Sequence, residues 1–161
     1  MTCNQGNACC TRISDDMCIR KLEVADYDKG YLECLKDLTD VGDVTKEQFT
    51  KRYDEIAAKG DAYHMFVVVH RPTGNIVGAA SIILERKFIH NCSSVGHLED
   101  VVIKKEYHMK GIGKTIVRHV VEHARSLGCY KVIANVKKEL LPFYNKCGLE
   151  KRDEEMAIYF K

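Results

Sequence analysis

The sequence predicts an α/β fold, a single domain with a mixed central sheet flanked by helices. Three observations carry this reading. The chain has 161 residues, 45% hydrophobic and 30% charged, which is an ordinary globular profile long enough to bury one substantial core. Stretches of period-two or β-branched character alternate with stretches of helical period. No internal repeat or linker divides them, and their order is strand, two helices, three strands, helix, strand, helix, strand.

Residues 1–16 are small and polar without periodicity, so a disordered leader is expected there. A single domain is expected over residues 17–161. Alternating apolar residues make 17–24 a strand. Asp26 or Asp28 can cap a helix reaching Leu38, with Tyr31, Leu32, Leu35 and Leu38 on one face. Gly42 lies in the break that follows. Thr45 with Gln48 three residues later is a capping-box pattern opening a second helix to about Lys59, before Gly60. Two β-branched runs, 63–70 and 76–84, flank Arg71-Pro72-Thr73-Gly74-Asn75, a hairpin signal. A polar connection leads to a strand at 96–103. The helix predicted for 111–127 places Ile112, Ile116, Val120, Ala124 and Leu127 on one side, and Gly128 ends it. Residues 131–136 read as a strand, 140–147 as a short helix stopped by Gly148, and 156–160 as a last strand.

The net charge of +2 gives no electrostatic case for a nucleic-acid or anionic-membrane partner. No apolar run approaches the length of a membrane span, and the N-terminus lacks a signal-peptide core, which predicts an intracellular, most simply cytoplasmic protein. Organelle import stays open. The 8 Cys include no C-x-x-C pair, so reduced thiols are expected rather than a zinc site or a disulfide framework.

The stretch around 96–115 concentrates the chemistry. Its strand carries the adjacent carboxylates Glu99 and Asp100, which strand geometry sends to opposite faces. One of them can act as, or orient, a general base. Their alternative is a pair of buried structural acids. After the strand comes a turn with Gly111 and Gly113 at a helix start, whose open N–H groups and dipole suit an anion such as a cofactor phosphate. Lys104, Lys105, Lys110 and Lys114 add positive charge; an ordinary turn with solvated lysines is the competing account. A triphosphate-binding P-loop needs a further glycine where His108 stands, and the dinucleotide fingerprint G-x-G-x-x-G is absent. His119-Val120-Val121-Glu122-His123 matches an inverted zinc-protease motif in spacing, but no third ligand is evident and no metal is expected. Solvated helix-edge positions account for both histidines. Tyr144 offers a phenol that can protonate a leaving anion, and core packing is its alternative. Lys87 and His90 bracket Phe88 and Ile89, an arrangement able to hold a substrate phosphate or to be a solvated loop.

The order of elements from Met17 onward resembles the GNAT superfamily of acetyl-CoA-dependent N-acetyltransferases. Its signature [QR]-x-x-G-x-[GA] is matched by His108-Met109-Lys110-Gly111-Ile112-Gly113 except at the first position. Five further stretches resemble the glucosamine-6-phosphate N-acetyltransferase family within it. They are Leu38-Thr39-Asp40-Val41-Gly42, Lys87-Phe88-Ile89-His90-Asn91-Cys92, Gly96-His97-Leu98-Glu99-Asp100-Val101-Val102, Gly128-Cys129-Tyr130-Lys131 and Phe143-Tyr144-Asn145-Lys146-Cys147-Gly148.

The resemblance implies a GNAT-like fold and acetyl transfer from acetyl-CoA to the amine of D-glucosamine 6-phosphate, a step toward UDP-N-acetylglucosamine. It implies that backbone groups of Val101, Val102 and Ile103 hold the donor's arm, and that His108, Met109, Lys110, Gly111, Ile112, Gly113 and Lys114 cradle its pyrophosphate. Glu99 and Asp100 would serve the sugar and its amine, and Tyr144 the departing thiolate. Thr39, Lys87, Phe88, Ile89, His90 and Asn135 would contact the sugar phosphate. A homodimer with crossing C-terminal strands and shared sites is also implied. Departures from the family fall at His108, at Asn135 and Leu140, and at Tyr159, which stands in place of a family arginine; Lys161 can supply only a point charge there. Another amine or peptide acceptor, or a non-catalytic acyl-CoA-binding module, are the alternatives.

Overall fold

The computed structural model describes residues 10–160. Strands β1 (Thr11–Arg12), β2 (Met17–Lys21), β3 (Tyr63–His70), β4 (Asn75–Arg86), β5 (Ser94–Ile103) and β6 (Cys129–Ile133) form one sheet in sequence order. All neighbours are antiparallel except β5 and β6, which are parallel. The predicted mixed sheet is therefore present. Parallel neighbours need a crossover, and α4 (Ile112–Ser126) supplies it.

Alternation along the strands sends side chains to two apolar layers. Phe66, Val68, Ala80, Ile82 and Leu98 face α4 and the short α5 (Leu141–Cys147), meeting Ile112, Ile116, Val120 and Cys147. Val67, Val69, Ile76 and Ala79 face the other way, against Tyr31 and Cys34 of α1 (Tyr31–Leu35) and Phe49 of α2 (Lys46–Ala57). β3 is buried on both sides, which is why it reads as a continuous apolar run.

The predicted capping box is observed: Thr45 accepts from the Gln48 N–H, and the Gln48 side chain accepts from the Thr45 N–H at 2.8 Å. The first predicted helix is broken instead of continuous. A 3-10 turn (Val24–Tyr27) and Gly30, at φ 81°, precede a short α1. The reason is Asp26, which is fully buried and takes both Arg20 nitrogens at 2.7 Å instead of capping a long helix in solvent. It also accepts the Glu23 N–H at 2.9 Å. Burial alone pushes the Asp26 carboxyl upward, but the Arg20 bonds, the Glu23 N–H and the Lys29 charge outweigh it and hold the pKa below the ordinary range.

Three further expectations change. Thr11 and Arg12 pair with β2 inside the expected leader, because Ile13 packs on the core; residues 1–9 of that leader lie outside the described residues. The segment 156–160 is not a strand, since it has no strand beside it among the described residues, and Met156, Ile158 and Phe160 are exposed. His119 and His123 are not solvated edges. Both rings pack edge-on against Phe66 with centroids 5.0 Å away, and His123 Nε2 lies 3.1 Å from His64 Nδ1. The Asp61 carbonyl accepts from His64 Nε2, so Nδ1 is the acceptor for His123. Burial lowers the pKa of all three imidazoles. Glu122 of the motif turns outward to Arg125.

Replacing Asp26 by Asn leaves the Arg20 charge buried without its partner. Asp26→Asn is expected to lower unfolding free energy by about 3–5 kcal/mol, read as a fall in urea midpoint. A midpoint close to that of the unchanged chain would contradict the assigned anchor.

Candidate active site

β5 is the axis of the site. Along its first half it has a strand on each side, and His97 opposite Ile133 is its last pair with β6. On the β4 side, pairing continues to Ile103. Residues 98–103 therefore present a strand edge open toward the place β6 has vacated. Backbone groups on such an edge need partners and are ready to take an extended ligand.

The register explains the divergence. Ala79 pairs with Val102 but Ser81 pairs with Glu99, so Ala80 faces both Asp100 and Val101. This is a β-bulge, and Asp100 occupies the left-handed region at φ 51°. Aspartate tolerates that conformation better than most residues, yet the backbone cost is still about 1–3 kcal/mol. Gly78 permits the close packing that holds the far end: a Cβ there would lie 2.4 Å from Ile103 Cδ1 and 3.1 Å from the Val102 carbonyl.

At the bulge the clean alternation of a regular strand fails, and the two predicted acids stay within each other's electrostatic reach. Glu99 is half-buried and acts on Tyr144, while the exposed Asp100 acts on Tyr31 of α1. Among the described residues neither carboxylate takes part in a hydrogen bond or ion pair. They are not a pair of tied-down structural acids. Burial first, then the Asp100 charge, raises the Glu99 pKa. Tyr144, half-buried on α5, has its phenol raised mainly by burial and then by Cys147 and Glu99. It stays protonated at neutral pH and can donate.

The glycine turn lies where β5 ends. His108 Nε2 donates to the Ile103 carbonyl at 2.7 Å, so this ring staples the turn to the strand. Met109 at φ 63° and Gly111 at φ 75° curl the chain into α4. The first α4 N–H to bond inside the helix is that of Thr115, to the Gly111 carbonyl at 3.1 Å, which leaves those of Ile112, Gly113 and Lys114 open. A Cβ at Gly113 would sit 3.3 Å from Phe143 Cζ, so glycine there lets α4, α5 and the end of β5 converge. Val101 and Ile103 bury their side chains in one layer and Val102 in the other, so only their backbone is available to a ligand.

The predicted sugar-phosphate residues do not all converge within the chain. Lys87, Phe88, Ile89 and His90 leave the N-terminal end of β5, in a turn α3 (Ile89–Cys92) with left-handed His90 and Asn91. Phe88 is fully exposed, and His90 stacks on Tyr130 at 4.0 Å. Lys87 pairs with Glu85. Thr39 lies near the other end, since Asp37 accepts the Lys105 N–H at 3.1 Å. Asn135 donates to Glu155 at 2.9 Å, and Glu155 is close enough to Glu99 to raise its pKa. Sequence reasoning missed Glu155, Tyr31, His97 and Glu85. Only His97 carried a local signal, its period-two spacing from Glu99.

A sheet opened beside a bulged strand, with a glycine turn at its end, defines the architecture of an acyl-group transferase. The chain belongs to the acetyltransferase (GNAT) family, whose model matches residues 20–149. The expected family is thus borne out. It is 41% identical over 142 residues to the glucosamine 6-phosphate N-acetyltransferase of Arabidopsis thaliana, covering 88% of this chain and 95% of that one. With the protein named glucosamine 6-phosphate N-acetyltransferase 1 in Oryza sativa subsp. japonica it shares 43% identity, covering 88% and 86%. The crystal structure of the Arabidopsis enzyme superposes with a TM-score of 0.88 at 39% identity, covering 91% of this chain and all of that one.

A base must be ionised to accept a proton, so activity resting on Glu99 is lost as pH falls through its raised pKa. Asp100→Asn removes a like charge and is expected to move the acidic limb of the kcat/KM profile to lower pH. A limb that stays in place, or moves up, would show that Asp100 does not act on the titrating group.

Proposed function

We propose that this chain transfers the acetyl group of acetyl-CoA to the amine of D-glucosamine 6-phosphate by direct attack in a ternary complex. The open β5 edge beside a helix start is the observation that carries the reading. Pantetheine is an extended arm with its own amides, and it pairs with the free backbone of residues 98–103. The pyrophosphate then falls at the N–H groups of Ile112, Gly113 and Lys114, each such charge-assisted bond contributing about 1.5–3 kcal/mol. The turn fits an anion without a metal ion.

The chemistry follows from the groups on either side of the bulge. Glu99 takes a proton from the acceptor ammonium, which frees the nitrogen lone pair. The amine attacks the thioester carbonyl, and the oxyanion meets a backbone N–H of the open edge. The C–S bond breaks and Tyr144 protonates the thiolate. Tyr144 is suited to this because burial keeps its phenol protonated at neutral pH, and it regains its proton from the nitrogen of the collapsing tetrahedral adduct.

The sugar phosphate is held by Lys87, His90 and Thr39, which sit at the two ends of one chain's β5. A homodimer brings such groups together. The exposed Met156, Ile158, Tyr159 and Phe160, with a β6 whose outer edge is unpaired among the described residues, support exchange of C-terminal strands between copies. Asn135 and Tyr159, which replace a family acid and arginine, favour a second reading in which another small amine is the acceptor. No helix of the described residues is long and apolar enough to cross a membrane; we place the enzyme in the cytoplasm.

Thiol release from acetyl-CoA, with D-glucosamine 6-phosphate and with free glucosamine, tests the acceptor. The expected result is a kcat/KM at least about a hundred-fold higher for the phosphosugar, on the scale of one buried charge interaction. Equal rates would remove the phosphosugar assignment, and binding of acetyl-CoA with no turnover of any amine would leave a non-catalytic module. Sedimentation of the full chain and of one ending at Glu155 tests assembly: dimer and monomer respectively are expected, and two monomers would refute strand exchange.

A further inference from the structure

His97 lies two residues before Glu99 on β5, on the same face of the strand. Its register partners are Ile83 on β4 and Ile133 on β6, both apolar, so its polar neighbours lie along the strand and on the diagonal. Glu85 reaches it from that diagonal, with Oε2 at 3.0 Å from His97 Nε2, while Lys87 pairs with the other oxygen of the same carboxylate. Glu155 approaches Glu99 from the C-terminal segment. Glu99, Glu85, Lys87 and Glu155 are thus the charged groups around this ring. A carboxylate only accepts, so Nε2 donates to Glu85 and Nδ1 is the ring nitrogen left to exchange a proton on the Glu99 side. His97 lies close enough to act electrostatically on Glu99, and the His97 and Glu85 side chains are 32% and 46% exposed. A file of titratable groups therefore runs from the half-buried Glu99 to open water.

The reaction needs such a file. Of the protons on an acceptor ammonium, one stays on the amide nitrogen and one ends on the thiol through Tyr144. The remaining one must leave, because ammonium plus thioester gives amide, thiol and a net proton. We propose that His97 is its outlet. The Glu99 O–H bond breaks as Nδ1 takes the proton, and the imidazolium gives its Nε2 proton to Glu85 and then to water. Glu99 is thereby ionised again for the next amine. This rests on the reading of Glu99 as the acceptor-side base; His97 itself touches no substrate and acts through Glu99.

His97→Gln keeps a donor to Glu85 but cannot shuttle a proton. In weak buffer its kcat is expected to fall about ten-fold or more, with KM for acetyl-CoA and amine little changed. Added imidazole, a small diffusible base, is expected to restore kcat toward that of the unchanged enzyme, which itself responds little. Glu85→Gln, at an exposed position, is expected to show a smaller loss with the same rescue. A His97→Gln enzyme at full kcat, or a loss that raises both KM values and ignores imidazole, would overturn the outlet. Turnover of the unchanged enzyme with each amine reports separately on the acceptor, so the two readings fail independently.

Discussion

The parting of β5 from β6 after His97 is the constraint on which the rest depends. A strand edge inside a folded protein is costly unless its N–H and C=O groups find partners. Here the bulge at Asp100 keeps β5 bound to β4 while bending it away from β6. The edge is left open, and Glu99, Asp100 and the glycine turn are all positioned by the same divergence. A regular β5 would carry every later side chain to the other face and close the gap.

Holding that gap open requires rigid surroundings. α4 lies across the sheet with Ile116, Val117, Val120 and Ala124 fully buried, so its N-terminus cannot drift from the end of β5. Gly113 and Gly78 bring α5 and β4 close at the same corner. On the opposite layer, the buried Arg20–Asp26 pair fixes the chain between β2 and α1, and thereby the placement of Tyr31 against the acidic bulge. Glu99 and Asp100 make no ion pair among the described residues, whereas Asp26 is held by Arg20 and Lys29.

Features decided within a turn or two of helix were legible in the sequence. Thr45 and Gln48 announced α2, and apolar spacing with Gly111 and Gly128 announced α4. Glu99, Tyr144 and the glycine turn were legible because motif residues are contiguous, and the structure sets them around one strand. What was hidden depends on distant partners. The bulge exists only in the register of β4 against β5. His123 finds His64 from across the core, so a spacing that suggests metal ligands ends in an imidazole pair. Asp26 looks like a helix cap until Arg20 is folded beside it. The alternation at Met156, Ile158 and Phe160 is a strand signal with no neighbouring strand among the described residues.

The central claim is that acetyl-CoA occupies the edge β6 leaves free. Amide hydrogen exchange with and without acetyl-CoA measures it directly. Slowed exchange is expected at residues 98–103 and at 109–114, with α2 and β3 unchanged. Protection that spares residues 98–103, or spreads evenly over the domain, would contradict it.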